Sequence, residues 1–168
     1  MKTGIEKFKN IIDPDTCNFI VKGIESNIDS ATDASWEFGQ HVIAKELPVV
    51  SVELNSIIHN SISKAVEQYR DMYTHLKISR DTGFNLRRIS GATREHVDNG
   101  EGRDNRNVSI IVGLNSDYEE GEFHFPVQDF STTVKQGEAI LFPVWFMYPH
   151  YVDAPIGFRY TINTWLQY

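Results

Sequence analysis

Residues 148–165 read YPHYVDAPIGFRYTINTW. The stretch holds two short pieces, "HYVDA" and "RYTINTW", on either side of Pro155 and Gly157. β-Branched and aromatic residues fill the pieces while Pro and Gly punctuate them, which predicts two strands joined through a tight connection. The same grammar extends back to Phe84 through "FNLRRIS", "NVSIIVGLN", "GEFHF", "STTVK" and "EAILFP". Many short strands with turn signals between them predict an antiparallel sandwich or barrel of the jelly-roll kind.

Before Phe84 the pattern is mostly helical. "GIEKFKNII" (4–12) alternates as a short strand. Residues 13–28 then predict a helix, with Asp13 as N-cap, Pro14 at the first position and Cys17, Ile20, Val21, Ile24 and Ile28 at helical spacing. Residues 35–48 read as an extended or hairpin segment. A longer helix is expected from Ser51 to about Tyr73, with Leu54, Ile57, Ile58, Ile62, Ala65, Val66, Tyr69 and Met72 or Tyr73 inward. The expected fold is therefore α+β, a jelly-roll core with two N-terminal helices packed on one sheet. It is expected to form a single domain over 1–168, with 1–80 as helical support and 81–168 supplying most of the core.

Composition narrows the function classes. Hydrophobic residues make up 40% of the 168, an ordinary globular level, and the longest apolar run (139–148) is interrupted by Pro143 and too short for a membrane span. The N-terminal stretch lacks the apolar core of a signal peptide, and the single Cys17 fits a reducing compartment, so a cytoplasmic location is expected. A net charge of -7 argues against a nucleic-acid partner. Six arginines (Arg80, Arg87, Arg88, Arg94, Arg103 and Arg106) crowd residues 80–106 and read as solvated charges on strand edges and turns.

Residues 94–99, "REHVDN", place His96 and Asp98 two apart, where a strand turns both side chains to one face. A jelly roll pairs strands distant in sequence, so His150 can stand opposite them. Two imidazoles and one carboxylate on one side of a metal leave its other positions open, the arrangement of non-haem iron(II) oxygenases. Nine residues after His150 comes Arg159, and two further Thr161 on the same strand face. A permanently charged guanidinium suits a carboxylate at the far end of a metal-chelating co-substrate, and a hydroxyl beside it adds one hydrogen bond.

These motifs together resemble the 2-oxoglutarate- and iron(II)-dependent dioxygenases, most of all their prolyl 4-hydroxylase branch. "REHVDN" resembles the metal-binding strand, "RNVSIIVGLN" the strand ending in Leu-Asn, "EEGEFHFP" a glycine turn and strand, and "VKQGEAILFP" the glycine before an apolar strand. "YPHYVDAPIGFRYTINTW" is similar to the histidine-to-arginine strand pair, and "FKNIIDPDTCNFIV" to the opening strand and helix. The resemblance implies His96, Asp98 and His150 as Fe(II) ligands and Arg159 as the partner of 2-oxoglutarate, with molecular oxygen as the second co-substrate. It implies that Thr161, Asn163 and Trp165 line the same pocket. It also implies hydroxylation of a prolyl residue in a peptide or protein, since a carboxylate ligand favours hydroxylation over halogenation. The same chemistry on a free amino acid or a methylated nucleobase is an alternative, as is a non-enzymatic jelly-roll module holding zinc on the same ligands. Trp165 stands where nucleobase demethylases carry a second arginine.

Two departures from the branch stand out. Ile89 and Gly113 occupy positions where tyrosines are common, leaving Ser109 or Asn163 to compensate. His124 reads as an edge residue or a supporter of the metal ligands, and His41, His59 and His75 as ordinary. Arg103 and Arg106 belong to the loop "NGEGRDNRN" (99–107), a lid on this reading. Trp145, Phe146, Met147 and Tyr148 are expected to pack around the approach to His150.

Overall fold

The computed structural model of the chain describes residues 3–34, 43–99 and 105–168. Its strands are β1 (Glu6–Phe8), β2 (Thr32–Ala34), β3 (Ala44–Pro48), β4 (Arg80–Asp81), β5 (Asn85–Ile89), β6 (Thr93–His96) and β7 (Arg106–Gly113), followed by β8 (Glu119–Glu120), β9 (Phe123–Phe125), β10 (Phe130–Thr132), β11 (Ala139–Pro143), β12 (His150–Val152), β13 (Pro155–Ile156) and β14 (Arg159–Gln167). Two α-helices, α1 (Pro14–Ser26) and α2 (Val52–Met72), lie between the early strands. Both begin at side-chain caps. Asp13 accepts from the Thr16 amide at 2.9 Å, and Ser51 accepts from the Leu54 amide at 3.3 Å, each satisfying an orphan donor of the first turn.

An eight-stranded major sheet runs β1-β11-β7-β14-β5-β3-β2, with β4 also on β14. A minor sheet runs β10-β9-β12-β6, and β13 pairs with β8. Alternation along the central strands sorts side chains into two cores. On β7, Val108, Ile110 and Val112 face the helices, as do Leu141 of β11 and Ile162 and Leu166 of β14, packing with Cys17, Ile20 and Ile24 of α1 and Ile58, Ile62 and Ala65 of α2. The opposite parity, Ile111, Ile140 and Phe142, meets Phe123, Phe125 and Val152 of the minor sheet. A central strand buried on both faces reads as the nearly unbroken apolar run "VSIIV".

The structure departs from the sequence expectations in three places. Ile57 and Met72 are 41% and 37% exposed, because they sit about 100° around α2 from the buried residues Ile58 and Tyr69 or beyond its last buried turn. Trp145, Phe146 and Met147 point outward, 44–80% exposed, because the chain leaves β11 at Pro143 and doubles back in a turn closed by the Tyr148 amide on the Trp145 carbonyl. Only Tyr148 packs, with its hydroxyl on the Thr3 carbonyl. The strand expected over 4–12 is confined to Glu6–Phe8, and of the expected 35–48 hairpin, 35–42 lies outside the described residues while Ala44–Pro48 forms β3, paired with β2.

No helix among the described residues is long and apolar enough to cross a membrane. Ile162 is fully buried in the sheet–helix core. Ile162→Ala is expected to lower the unfolding free energy by roughly 2–5 kcal/mol, read by chemical denaturation. Burial pushes the Cys17 thiol up to about 11, so iodoacetamide should label it in denaturant and leave it untouched in the native protein at neutral pH.

Candidate active site

The register of two strand pairs assembles the site. In the minor sheet β12 places His150 directly across from His96 at the end of β6, with ring centroids 4.4 Å apart. Asp98 follows two residues on, held in place where the Asn99 amide donates to the Val144 carbonyl. The ligand atoms of His96, Asp98 and His150 all lie within 4.8 Å of one another, a grouping able to hold a metal ion. His96 Nε2 is 3.4 Å from Asp98 Oδ1, and His150 Nε2 is 4.0 Å from Oδ2.

The protein fixes which nitrogen each ring presents. His96 Nδ1 lies 2.7 Å from the Arg94 carbonyl, and His150 Nδ1 lies 3.2 Å from the Tyr148 carbonyl. A carbonyl oxygen only accepts, so both rings present Nδ1–H to the main chain and turn Nε2 toward Asp98. Phe125 stacks on His150 at 5.5 Å and Phe142 meets its edge at 4.7 Å, holding the ring plane. Burial pushes the His150 pKa down despite the opposing pull of Asp98, which keeps the ring neutral and able to ligate.

Asp98 is tied to the major sheet. Its Oδ2 accepts from the Ser109 hydroxyl at 2.5 Å and from the Trp165 indole N–H at 3.1 Å. Those donors come from β7 and β14, where Trp165 and Ser109 are direct cross-strand partners. Burial alone would raise the carboxyl pKa; the His96 hydrogen bond, the charge interaction with His150 and the Ser109 hydroxyl outweigh it and hold the group well below the ordinary carboxylate range. The result is a fixed anion faced by the Nε2 atoms of two imidazoles.

The inner face of β14 continues away from this cluster through Asn163 and Thr161 to Arg159, all buried. The Thr161 hydroxyl donates to Asn163 Oδ1 at 2.6 Å, which occupies the amide's acceptor and leaves its NH2 group as the donor. Arg159 is only 3% exposed; its Nη1 donates to the Gly121 carbonyl at 3.2 Å and its guanidinium lies over the Phe123 ring at 4.9 Å. Burial pushes its pKa down to about 10, and among the described residues its Nε has no hydrogen-bond partner. A buried guanidinium with an unsatisfied N–H is chemically suited to hold an anion.

The two positions where tyrosines were missing have physical explanations. Ile89, directly across from Arg159, packs into a small apolar cluster with Ala34 and Ala44. At Gly113 a Cβ would lie 2.4 Å from the Lys135 carbonyl oxygen and 2.6 Å from that of Val134, so the main chain fills the space a side chain would need. Sequence reading missed Arg87. It is buried at 8% exposure, bonded through Nε to Glu46 Oε2 at 2.5 Å, and placed across from Thr161 on the inner face. Its only sequence signal was the alternation of "NLRRI", which sends Arg87 inward and Arg88 outward to Glu25. Arg106 stacks on Trp165 at 3.7 Å, whereas Arg103 lies outside the described residues, as does most of the expected lid. His124 points to the outer face of the minor sheet, pairing with Asp153 at 2.7 Å and stacking on Tyr151 at 4.5 Å, so it does not support the ligands.

Residues 84–167 match the family model of the 2OG-Fe(II) oxygenase superfamily. The fold is similar to that of a prolyl hydroxylase from Trichoplax adhaerens in complex with a hypoxia inducible factor oxygen degradation domain peptide, with TM-score 0.76 and 16% identity over 99% of this chain and 84% of that one. It is similar also to the viral collagen prolyl hydroxylase of Paramecium Bursaria Chlorella virus-1 in its 2OG complex (TM-score 0.74, 15% identity, 98% and 96% covered). A Pseudomonas putida prolyl-4-hydroxylase gives 0.75 at 13% identity, with 98% and 92% covered. No curated protein sequence matches the chain.

Removing a hydrogen bond that orients the carboxylate should weaken the centre without dismantling it. Ser109→Ala is expected to lower divalent-metal affinity about tenfold or more, measured by calorimetry. Gly113→Ala should be strongly destabilising, because the obstruction is backbone; an unchanged melting temperature would contradict the packing described here. With the His150 pKa below its ordinary value, metal binding should persist into mildly acidic solution and fall away only as that ring takes up a proton.

Proposed function

Because the chain belongs to the 2OG-Fe(II) oxygenase superfamily, an enzyme family that uses iron(II), 2-oxoglutarate and molecular oxygen, we propose that His96, Asp98 and His150 hold its iron. Arg159 then holds the distal carboxylate of 2-oxoglutarate. The observation that carries this reading is the pairing on one pocket face of a two-histidine, one-carboxylate cluster with a buried guanidinium whose Nε is unsatisfied. The donor set fits: two neutral imidazoles and a carboxylate suit iron(II) and leave positions open for a chelating co-substrate and oxygen. When bound, iron would activate molecular oxygen, the oxidant, with 2-oxoglutarate oxidised to succinate and carbon dioxide as the second two-electron donor beside the hydroxylated C–H bond.

The chain's own residues do the positioning. Arg94 and Tyr148 carbonyls hold both imidazoles with Nε2 inward, and Ser109 and Trp165 hold the carboxylate. The Asn163 amide, oriented by Thr161, offers N–H donors along the path from Arg159 to the metal, the contact that tyrosines make elsewhere in the branch. Phe123, Phe125 and Phe142 wall the cluster with apolar surface and exclude water. In this reading residues 1–168 act as one dioxygenase domain.

The substrate we propose is a prolyl residue of a peptide or protein. The support is the likeness of the whole fold to prolyl hydroxylases, one of them in complex with a peptide.

Metal-free protein supplied with iron(II), 2-oxoglutarate and oxygen is expected to form succinate, faster when proline-rich peptides are present. Absence of succinate under all these conditions would overturn the enzymatic assignment to this site. His150→Ala should abolish succinate formation together with iron binding. Arg159→Met should raise the 2-oxoglutarate concentration needed for half-maximal rate by about 100-fold, roughly the loss of one buried charge-assisted pair; an unchanged requirement contradicts its role.

A further inference from the structure

The outer face of the minor sheet carries a second convergence of ligand atoms, which the proposed chemistry does not use. Glu122 just before β9, His124 in its middle and Asp153 just after β12 bring one ligand atom each within 4.8 Å of one another. His124 Nε2 is 2.7 Å from Asp153 Oδ2 and 3.9 Å from Glu122 Oε2. Strand alternation decides the face. Phe123 and Phe125 point into the inter-sheet core, so His124 points away from it. Across the pair, Tyr151 does the same while His150 and Val152 point inward. The cluster therefore lies on the reverse side of the strand that carries His150, with the sheet between it and the candidate iron ligands.

Each of the three groups is held by its surroundings. Tyr151 stacks on the His124 ring with centroids 4.5 Å apart and planes 13° apart, which fixes the direction of Nε2. The Ser131 hydroxyl donates to Glu122 Oε1 at 3.1 Å and leaves Oε2 on the side of the imidazole. The Asp153 amide donates to the Glu122 carbonyl at 3.0 Å, so the two acidic residues stay side by side. Charge then decides what the cluster takes. All three residues are half-buried, and among the described residues His124 is the sole ion-pair partner of either carboxylate. A proton on the imidazole offsets one of the two negative charges, whereas a divalent cation offsets both. A tetrahedral ion at zinc distances separates its ligand atoms by about 3.4 Å. The two separations from Nε2, 2.7 and 3.9 Å, bracket that value, and those within the candidate iron cluster are 3.4 and 4.0 Å.

We propose that Glu122, His124 and Asp153 form a second metal site, which takes a divalent transition-metal ion of the zinc class through Oε2, Nε2 and Oδ2. An imidazole in the set favours zinc and its neighbours over magnesium and calcium, which prefer oxygen throughout. Water completes the coordination on the solvent side. Binding displaces the proton that joins Nε2 to Asp153, in the same place between the same atoms. The ion ties the residue that leads into β9 to the end of β12, and so braces from behind the strand that carries His150. The two clusters share no ligand, so the assignment of one does not depend on the other.

The test is calorimetric titration of the metal-free chain, without an affinity tag, using zinc alone. The wild-type protein is expected to hold about two zinc ions, one at each cluster. His124→Ala should leave about one, as should His150→Ala, and the double variant should bind none. In the His150→Ala background, Asp153→Asn and Glu122→Gln should each weaken the remaining zinc about tenfold or more, because a neutral amide replaces a charged ligand. These nearly isosteric changes also serve if His124→Ala does not fold. Zinc should raise the melting temperature of His150→Ala and leave that of the double variant unchanged. A wild-type protein whose only zinc is lost with His150→Ala overturns the inference. So does a second zinc that survives substitution at positions 122, 124 and 153. Zinc removed by His124→Ala but kept in His150→Ala upholds the second site even where the first takes none, so the two assignments fail separately.

Discussion

Two hydrogen bonds to one carboxylate oxygen set the position of everything that matters here. Asp98 follows a strand of the minor sheet, yet its Oδ2 is held by Ser109 and Trp165 from the major sheet. The carboxylate therefore works as a cross-tie between the layers, at the point where His96 and His150 are already paired across β6 and β12. The apolar inter-sheet core of Ile111, Ile140, Phe123, Phe125 and Phe142 brings the sheets together without choosing a unique offset, since such contacts lack direction. The directed bonds to Asp98 choose it. The inner face of β14 then lines up with the ligand cluster, and Arg159 falls at a fixed remove along the same strand.

Electrostatics inside the pocket runs against the character of the whole chain. An acidic protein has buried two arginines, Arg87 and Arg159, on one interior face, and the nearness of the first helps depress the pKa of the second. Only Arg87 has its carboxylate within the described fold, Glu46. Such an arrangement is costly in a low-dielectric interior unless ligands complete it. The interior face thus carries two guanidinium groups at one end and, at the other, two imidazoles around one firmly ionised carboxylate.

Much of this was legible in the sequence. The short strands from Phe84 onward and the capped helices at Asp13 and Ser51 are local signals, and the structure contains them. The convergence of His96, Asp98 and His150 was inferable because period-two geometry gives H-x-D one face and ordered motifs supplied the third partner. Arg87 was not legible, because an arginine on a strand reads as solvated until the partner strand carrying Glu46 is known, and that strand is about 40 residues away. The outward turn at Trp145–Met147 escaped for a related reason. Apolar runs predict burial only while the strand continues, and here it stops at Pro143. His124 was misjudged by parity: one position off Phe123 and Phe125 on β9, it faces away from the cluster.

Gly113 bounds what this pocket can become. Beside Thr161 the space that a side chain at Gly113 would need is taken by the carbonyls of Val134 and Lys135. Side-chain walls can be trimmed or enlarged by single substitutions, whereas a wall of main chain moves only if a whole segment is rebuilt. A side chain at position 113 would therefore have to wait for a rebuilt Val134–Lys135 segment, so the shape of the interior beside Thr161 is inherited with the fold.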